Sequence, residues 1–290
     1  MHAAILLWGL TGIFGKLISL DELPLVWWRM TITVIILGAA LKWFGQLDTT
    51  ILKKAKGALF SGAVLASHWI FFFASIKYSN VSIALCTLAS TAMFSTLIQS
   101  AIARQRPMAK ELIASAFTIL GVGVVFQFQE LHVVGIMLGL VSAFLGATVT
   151  IQTKILLDEY SPYNLLFLQL VGGVGVITLI APLYFMANPT TAVLPVGADW
   201  LYLLVLGGLC TAYAMKLAYD SLAHVSAFVL NLSTNLEPLY SIILAFVLFK
   251  EYEQLNKGFY IGSVLILFSV VLGTVNFSDL RSNSKKTVKE

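Results

Sequence analysis

The polar residues of this chain that could do chemistry lie within apolar segments, and Glu237 is the central one. We place it at the middle of an apolar segment over residues 225–249. A charged side chain at the centre of a membrane-spanning helix costs about 3 kcal/mol on insertion, so Glu237 should face protein or water. It could carry a proton, or it could be a structural acid that bonds backbone groups freed by Pro238.

Pro238 predicts a kink in the same segment. It has no N–H to donate to the Thr234 carbonyl, and its ring clashes with the preceding turn. A kink could expose a carbonyl to a cavity or allow the helix to bend during gating. It could equally be static, with the freed carbonyl bonded to a neighbouring hydroxyl.

Two amides precede this acid on the same segment. Asn231 and Asn235 are four residues apart and therefore share one face of a helix. Such a pair could bind the amino or carboxylate group of a small molecule. It could also bond neighbouring helices, at about 0.6 kcal/mol for each interhelical hydrogen bond.

A histidine lies among aromatic residues in an earlier segment. His68 adjoins Trp69, and Phe72 follows one helical turn later. This arrangement predicts a pocket with an aromatic wall and one titratable group. The alternative is a histidine that is simply hydrogen-bonded to a neighbouring helix.

Arg29 is the candidate for a fixed cation, because it lies about five residues inside its apolar segment. Its guanidinium could bind a carboxylate through two parallel hydrogen bonds. It could also extend to the membrane surface along its stem or pair internally. Further candidates for the wall of a cavity are Trp8, Gln169, Tyr213 and Tyr240. Trp and Tyr residues near helix ends could instead belong to the aromatic belt at the membrane surface.

The composition shows what must position these residues. The 290-residue chain is 59% hydrophobic and only 11% charged, with a mean hydropathy of +0.90. Too little polar surface exists to cover a water-soluble globule, so a bilayer is the expected solvent. Each spanning helix needs about 20 mostly apolar residues. We place ten such segments at residues 3–20, 24–44, 55–76, 81–103, 112–128, 133–157, 163–187, 200–219, 225–249 and 258–277.

The chain repeats itself. Lys16 recurs 138 positions later as Lys154, and Val81-Ser82 recurs 144 positions later as Val225-Ser226. The extended loop at 188–199 accounts for the change in offset. We therefore expect two five-helix repeats, at residues 1–130 and 131–278, followed by a basic cytoplasmic tail at 279–290.

The loop charges predict an orientation. Twelve of the eighteen Lys and Arg residues fall in loops or a tail that are cytoplasmic if both termini are inside. Because five is odd, the second repeat should enter the membrane from the opposite side. The expected fold class is thus an all-α integral membrane protein with ten helices in a 5+5 inverted repeat. Such a pair of halves can open a shared site to either side in turn.

Several motifs together resemble the EamA-type transporters of the drug/metabolite transporter superfamily. They are Trp8-Gly9 and Phe14-Gly15-Lys16, Trp28-Arg29, Leu236-Glu237-Pro238, the run from Leu244 to Glu251, and the glycine that begins the last helix. The resemblance implies ten helices, an inverted repeat and movement of small metabolites, often amino-acid export, across a bacterial inner membrane. This chain has Thr91–Phe94 where the family commonly has a proline, so a kink is expected in the second half only.

The sequence predicts a secondary transporter, with its site near mid-membrane between the third, fourth, eighth and ninth helices. Amino acids or related compounds are the leading substrates, and drugs, organic cations or nucleosides are the alternatives. A membrane enzyme or a structural subunit is the rival class. The chain lacks HExxH, P-loop and GxSxG motifs, and Cys86 and Cys210 form no metal motif. We expect no cofactor, metal or nucleic acid. The bilayer is a partner, protons could be a coupling ion, and monomer and homodimer both remain open.

Overall fold

The computed structural model describes residues 1–46, 55–126, 132–237, 239–240 and 257–274. The described residues form helices and no strand. The α-helices are α1 (His2–Trp8), α2 (Thr11–Leu17), α3 (Glu22–Trp43), α4 (Lys56–Tyr78), α5 (Val81–Leu88), α6 (Thr91–Ala103), α7 (Ala109–Phe126), α8 (Val133–Leu156), α9 (Pro162–Ala187), α10 (Asp199–Gly207), α11 (Ala214–His224), α12 (Ala227–Thr234) and α13 (Lys257–Thr274), and a π-helix, Gly208–Tyr213, joins α10 to α11.

The all-helical membrane fold that the apolar segments predict is confirmed. Six described helical stretches are long and apolar enough to cross a bilayer. They are Glu22–Trp43, Lys56–Tyr78, Ile83–Ala103, Val133–Leu156, Pro162–Ala187 and Asp199–His224. The remaining described helices fall in the other predicted segments, and the second part of the ninth segment lies outside the described residues.

Within the described residues, four of the ten predicted segments are interrupted. The first is broken between α1 and α2, the fourth between α5 and α6, the eighth by the π-helix, and the ninth after α12. The expectation that only the second half would be kinked is therefore wrong. Pro238, on which that expectation rested, lies outside the described residues.

Hydroxyl side chains explain the break in the fourth segment, which contains no proline. The Thr87 hydroxyl donates to the Ile83 carbonyl at 2.9 Å, and the Thr91 hydroxyl donates to the Leu88 carbonyl at 2.5 Å. Such side-chain bonds compete with the helical ladder and bend helices. The ninth segment repeats this device, because the Thr234 hydroxyl donates to the Asn231 carbonyl at 2.6 Å.

The two halves pack through glycines where α4 meets α9. A Cβ added at Gly62 would collide with the backbone of Gln169, and one added at Gly172 would collide with the backbone of Leu59. Helices in membranes associate closely through such small residues, because the hydrophobic effect gives little net attraction between them in lipid. This contact joins the third predicted segment to the seventh and so forms part of the interface between the halves.

Candidate functional site

A cavity of about 150 Å³ lies between the two halves. A cavity of this size can hold a molecule as large as benzene. Its walls come from seven of the ten predicted segments, the first, second, third and fourth and also the sixth, eighth and ninth. The lining residues are Trp8, Thr11, Arg29, Leu65, His68, Trp69, Phe72, Leu88, Thr91, Gly146, Val149, Thr150, Thr153, Met215, Ala218, Tyr219, Leu222, Leu230, Asn231, Thr234 and Glu237.

Three of the interrupted segments break at this cavity. Trp8 and Thr11 flank the break between α1 and α2, and Leu88 and Thr91 flank that between α5 and α6. Thr234 ends α12, and it too lines the cavity. Irregular backbone at membrane depth is tolerated where it is buried in protein or lines a cavity. The breaks therefore mark the polar centre of the molecule.

Arg29 is held rigidly on the cavity wall. Its side chain is 2% exposed, and its Nε donates to the Thr211 hydroxyl at 2.8 Å. Its guanidinium carbon lies 4.0 Å from the centroid of the Trp69 ring, a cation–π geometry. Of its two terminal nitrogens, Nη1 makes no hydrogen bond with any residue that the structure describes.

The π-helix supplies the acceptor that orients Arg29. Within it, the Thr211 hydroxyl donates to the Leu206 carbonyl at 2.6 Å, five residues earlier. That bond leaves the hydroxyl oxygen facing the Arg29 Nε. Single π-helical turns within membrane or soluble helices commonly occur at functional sites. No sequence signal marks this turn, since the residues from Gly208 to Tyr213 are compatible with an ordinary α-helix.

Glu237 lines the same cavity and is 7% exposed. Its carboxylate and the Arg29 guanidinium attract each other electrostatically. These two are the charged side chains among the described lining residues, and they come from different halves. The cavity therefore offers a guanidinium and a carboxyl group within a largely apolar and aromatic wall.

His68 joins the third segment to the sixth beside the cavity. Its Nδ1 lies 2.8 Å from the Ser142 carbonyl oxygen, and the Ser142 hydroxyl donates to the His68 carbonyl at 3.0 Å. Because a carbonyl oxygen can only accept, Nδ1 carries the proton, and Nε2 is the acceptor of the neutral ring. His68 is thus both a structural link and a lining residue.

The two amides have different positions. Asn231 lines the cavity, and its side chain accepts from the Thr150 hydroxyl at 3.1 Å and donates to the Ser95 hydroxyl at 2.5 Å. Asn235 is buried, and its amide donates to the Asn231 carbonyl at 3.3 Å. Asn235 therefore bonds the break after α12, and it is not among the lining residues.

Gln169 lies behind the cavity wall. It is fully buried, and its Nε2 donates to the Ser61 hydroxyl at 2.8 Å and to the Thr153 hydroxyl at 2.9 Å. Its Oε1 accepts from the Tyr219 hydroxyl at 2.5 Å. Thr153 and Tyr219 line the cavity, so Gln169 fixes two wall residues across α4, α8, α9 and α11.

The structure brings together seven of the residues that the sequence singled out, namely Trp8, Arg29, His68, Trp69, Phe72, Asn231 and Glu237. Tyr213 is 54% exposed and is not a lining residue. Tyr240 is also elsewhere, with its hydroxyl 2.9 Å from His2 Nδ1.

The sequence interpretation missed the α11 wall, formed by Met215, Ala218, Tyr219 and Leu222. Their spacing of three and four residues places them on one helical face, which is a signal that the sequence does carry.

Side-chain hydrogen bonds join the two halves at one end of the bundle. Asp199 begins α10, and its carboxylate accepts from the Ser19 backbone N–H at 3.1 Å and from the Ser19 hydroxyl at 2.6 Å. Beside it, the Trp28 indole N–H donates to the Val193 carbonyl at 2.8 Å. These bonds hold the segment before α10 against the ends of α2 and α3. We call Ser19 and Asp199 the end latch.

No group of three or more His, Cys, Asp or Glu side chains that could hold a metal occurs within the described ranges.

Residues 1–127 and 133–275 match the EamA-like transporter family. A curated relative, the uncharacterized transporter YxxF of Bacillus subtilis (strain 168), is 26% identical over 252 residues, which are 84% of this chain and 79% of YxxF. A solved crystal structure of a protein superimposes with a TM-score of 0.74 at 17% identity, over 93% of this chain and 94% of the other.

Proposed function

Since this chain belongs to the EamA-like transporter family, we propose that it is a secondary transporter that exports small metabolites. The family has a multi-pass membrane fold of ten helices with repeated halves. Amino acids and related compounds are the leading substrates, and other small organic molecules are the alternative. The membrane is the bacterial inner membrane, with both termini in the cytoplasm. The relative YxxF is likewise a transporter by its name, and nothing in the family points to an enzyme.

The observation that carries this proposal is the convergence of interrupted helices on one cavity that is lined by a guanidinium and a carboxyl group. Discontinuous helices at mid-membrane are where transporters expose polar backbone and side chains to a substrate. Arg29 comes from the first half and Glu237 from the second, so the site depends on both. Movement of one half against the other would change the side of the membrane from which the site is accessible.

Alternating access then follows from the repeat. Five spanning helices in each half give the halves opposite orientations, and exchanging their conformations exchanges an outward for an inward opening. With cytoplasmic termini, the end latch of Ser19 and Asp199 lies at the outer surface. Its hydrogen bonds hold that end closed in this conformation. Export requires the latch to separate in each cycle.

A reversible cross-link at the latch tests this mechanism. The background would be C86A/C210A, because both native cysteines are buried thiols that could otherwise react slowly. In that background, S19C/D199C should export a panel of amino acids from liposomes when reduced. Oxidation should lower the flux at least about tenfold, and a reductant should restore it.

The two single-cysteine variants are the controls for oxidation elsewhere. A fully cross-linked protein that still transports at the reduced rate would contradict opening at this end. Absence of flux for amino acids, organic cations and nucleosides alike in the uncrosslinked protein would contradict the transporter itself.

Protons are a candidate coupling ion through Glu237 or His68. Flux would be measured in liposomes with and without a pH gradient, first for the wild type and then for E237Q and H68Q. A gradient response that disappears in one variant identifies the carrier. A wild type that ignores the gradient would indicate facilitated exchange.

A further inference from the structure

We propose that the substrate carries a carboxylate, and that this carboxylate binds the end of the Arg29 guanidinium that bears Nη1. The inference rests on the proposed transport function and names the chemical class for the same cavity. Compounds without a carboxylate, such as simple organic cations and nucleosides, would then not be the substrates. Four observations lead to it.

The first is the unmatched donor. A guanidinium has five N–H donors and no acceptor, and burying it without partners is costly. In Arg29, Nε is bonded to the Thr211 hydroxyl, whereas Nη1 is buried with no hydrogen-bond partner among the described residues. A donor in this state, on the wall of a cavity between the halves, can be satisfied by an acceptor that enters the cavity.

The second observation is orientation. The guanidinium carbon lies 4.0 Å from the centroid of the Trp69 ring, and the Thr211 hydroxyl accepts from its Nε. These contacts fix the plane of the fork before any ligand arrives. A planar fork of N–H groups matches the two oxygens of a carboxylate, and such pairs are frequently bidentate.

The third observation is the size and character of the cavity. About 150 Å³ suits a small organic molecule. Apart from the polar groups, the wall is apolar and aromatic, and it includes Trp8, Phe72, Met215 and Leu222. A compact carboxylate with an apolar side group matches this wall better than a highly hydroxylated molecule does.

The fourth observation is that Arg29 and an acidic side chain line the same cavity. Glu237 lines it from the other half, and its carboxyl group and the Arg29 guanidinium attract each other electrostatically. A zwitterion with its carboxylate at Arg29 can place its ammonium towards Glu237. A simple carboxylate anion lacks that second contact, and should bind less tightly than the zwitterion of the same shape. Zwitterions should therefore bind more tightly than simple carboxylates, and Arg29 should bind the carboxylate of both.

Matched ligands test the proposal by thermal stabilisation of the purified protein. The panel holds the aliphatic and aromatic amino acids, their amides, and the amines that lack the carboxyl group altogether. We expect at least one amino acid to stabilise the protein, and its amide to bind at least about 30-fold more weakly. The amine should bind no better than the amide.

Variants then connect the discrimination to Arg29. R29Q should lower the affinity for the acid about 10- to 100-fold and bring the ratio between acid and amide close to one. R29K keeps the charge but loses the planar fork, so it should retain part of the discrimination and guards against a misfolded R29Q. R106Q, at an exposed loop arginine, is the matched control and should bind as the wild type does.

Each result decides the question. The proposal is wrong if no carboxylate stabilises the protein, if acid and amide bind equally, or if R29Q and R29K both keep the discrimination. Transport of cations or nucleosides without carboxylate binding would refute this inference and leave the transporter intact. Carboxylate binding without any flux would do the reverse.

Discussion

Replacing Gln169 with leucine should destabilise the protein by about 2 kcal/mol. The substitution keeps nearly the same volume and removes three side-chain hydrogen bonds, to Ser61, Thr153 and Tyr219. Interhelical bonds of this kind in membranes average about 0.6 kcal/mol each. All four side chains are buried or line the cavity, so the groups left behind cannot turn to bulk water instead.

The assay is unfolding of the purified protein in mixed micelles by increasing SDS, followed by tryptophan fluorescence. Q99L, at a half-buried glutamine of α6 outside this network, is the matched control and should change the unfolding free energy by less than about 0.5 kcal/mol. The free energy of ligand binding should change less than the free energy of unfolding, because Gln169 lies behind the cavity wall.

A double-mutant cycle sharpens the prediction. Y219F removes one bond of the network and should cost about 0.6 kcal/mol. In Q169L that bond is already absent, so Q169L/Y219F should be no less stable than Q169L alone. Full additivity of the two changes, or a Q169L protein as stable as the wild type, would refute the assignment of this cluster as a cooperative support.

Three further changes test other parts of the structure. G172A should destabilise the protein by about 2 kcal/mol or more and lower the folded yield, because the added Cβ meets the α4 backbone. G175A, where a Cβ has open space, is the control and should have neither effect. Equal yields of the two variants would contradict the close approach of α9 to α4. T211V should weaken carboxylate binding about tenfold by releasing the Arg29 Nε, and unchanged affinity would show that Thr211 does not position it. E237Q should abolish any flux response to a pH gradient if Glu237 is the proton carrier, and a retained response would exclude that role.

The spans could be predicted from the sequence because hydropathy is a local property that the bilayer enforces over about 20 residues. The breaks could not all be predicted. A break caused by proline can be predicted from the sequence. The break between α5 and α6 depends instead on whether the Thr87 and Thr91 hydroxyls donate to carbonyl groups of their own segment. The π-helix depends in the same way on Thr211. These choices are made by tertiary packing, which a single sequence does not display.

The candidate site was predictable to a similar degree, and for a related reason. A polar residue in an apolar helix must be satisfied, but the sequence does not say by what. Arg29 and Glu237 face the cavity, whereas Gln169 and Asn235 are satisfied by neighbouring helices. In the sequence, both kinds of residue look the same, namely a polar residue within an apolar segment. Only the position of the partner helices separates a wall residue from its support.

The two halves share a backbone plan, but the charged groups of the cavity are not shared. At the offset of 138, Arg29 corresponds to Phe167, and at the offset of 144, Glu237 corresponds to Met93. The repeat relates the breaks in the fourth and ninth segments, whereas the breaks in the first and eighth segments have no counterpart in the continuous helices α8 and α4. The charged groups of the cavity are likewise particular to one half each. If both halves supplied identical groups, a ligand could bind equally well in two orientations. With a guanidinium from one half and a carboxyl group from the other, one orientation is favoured.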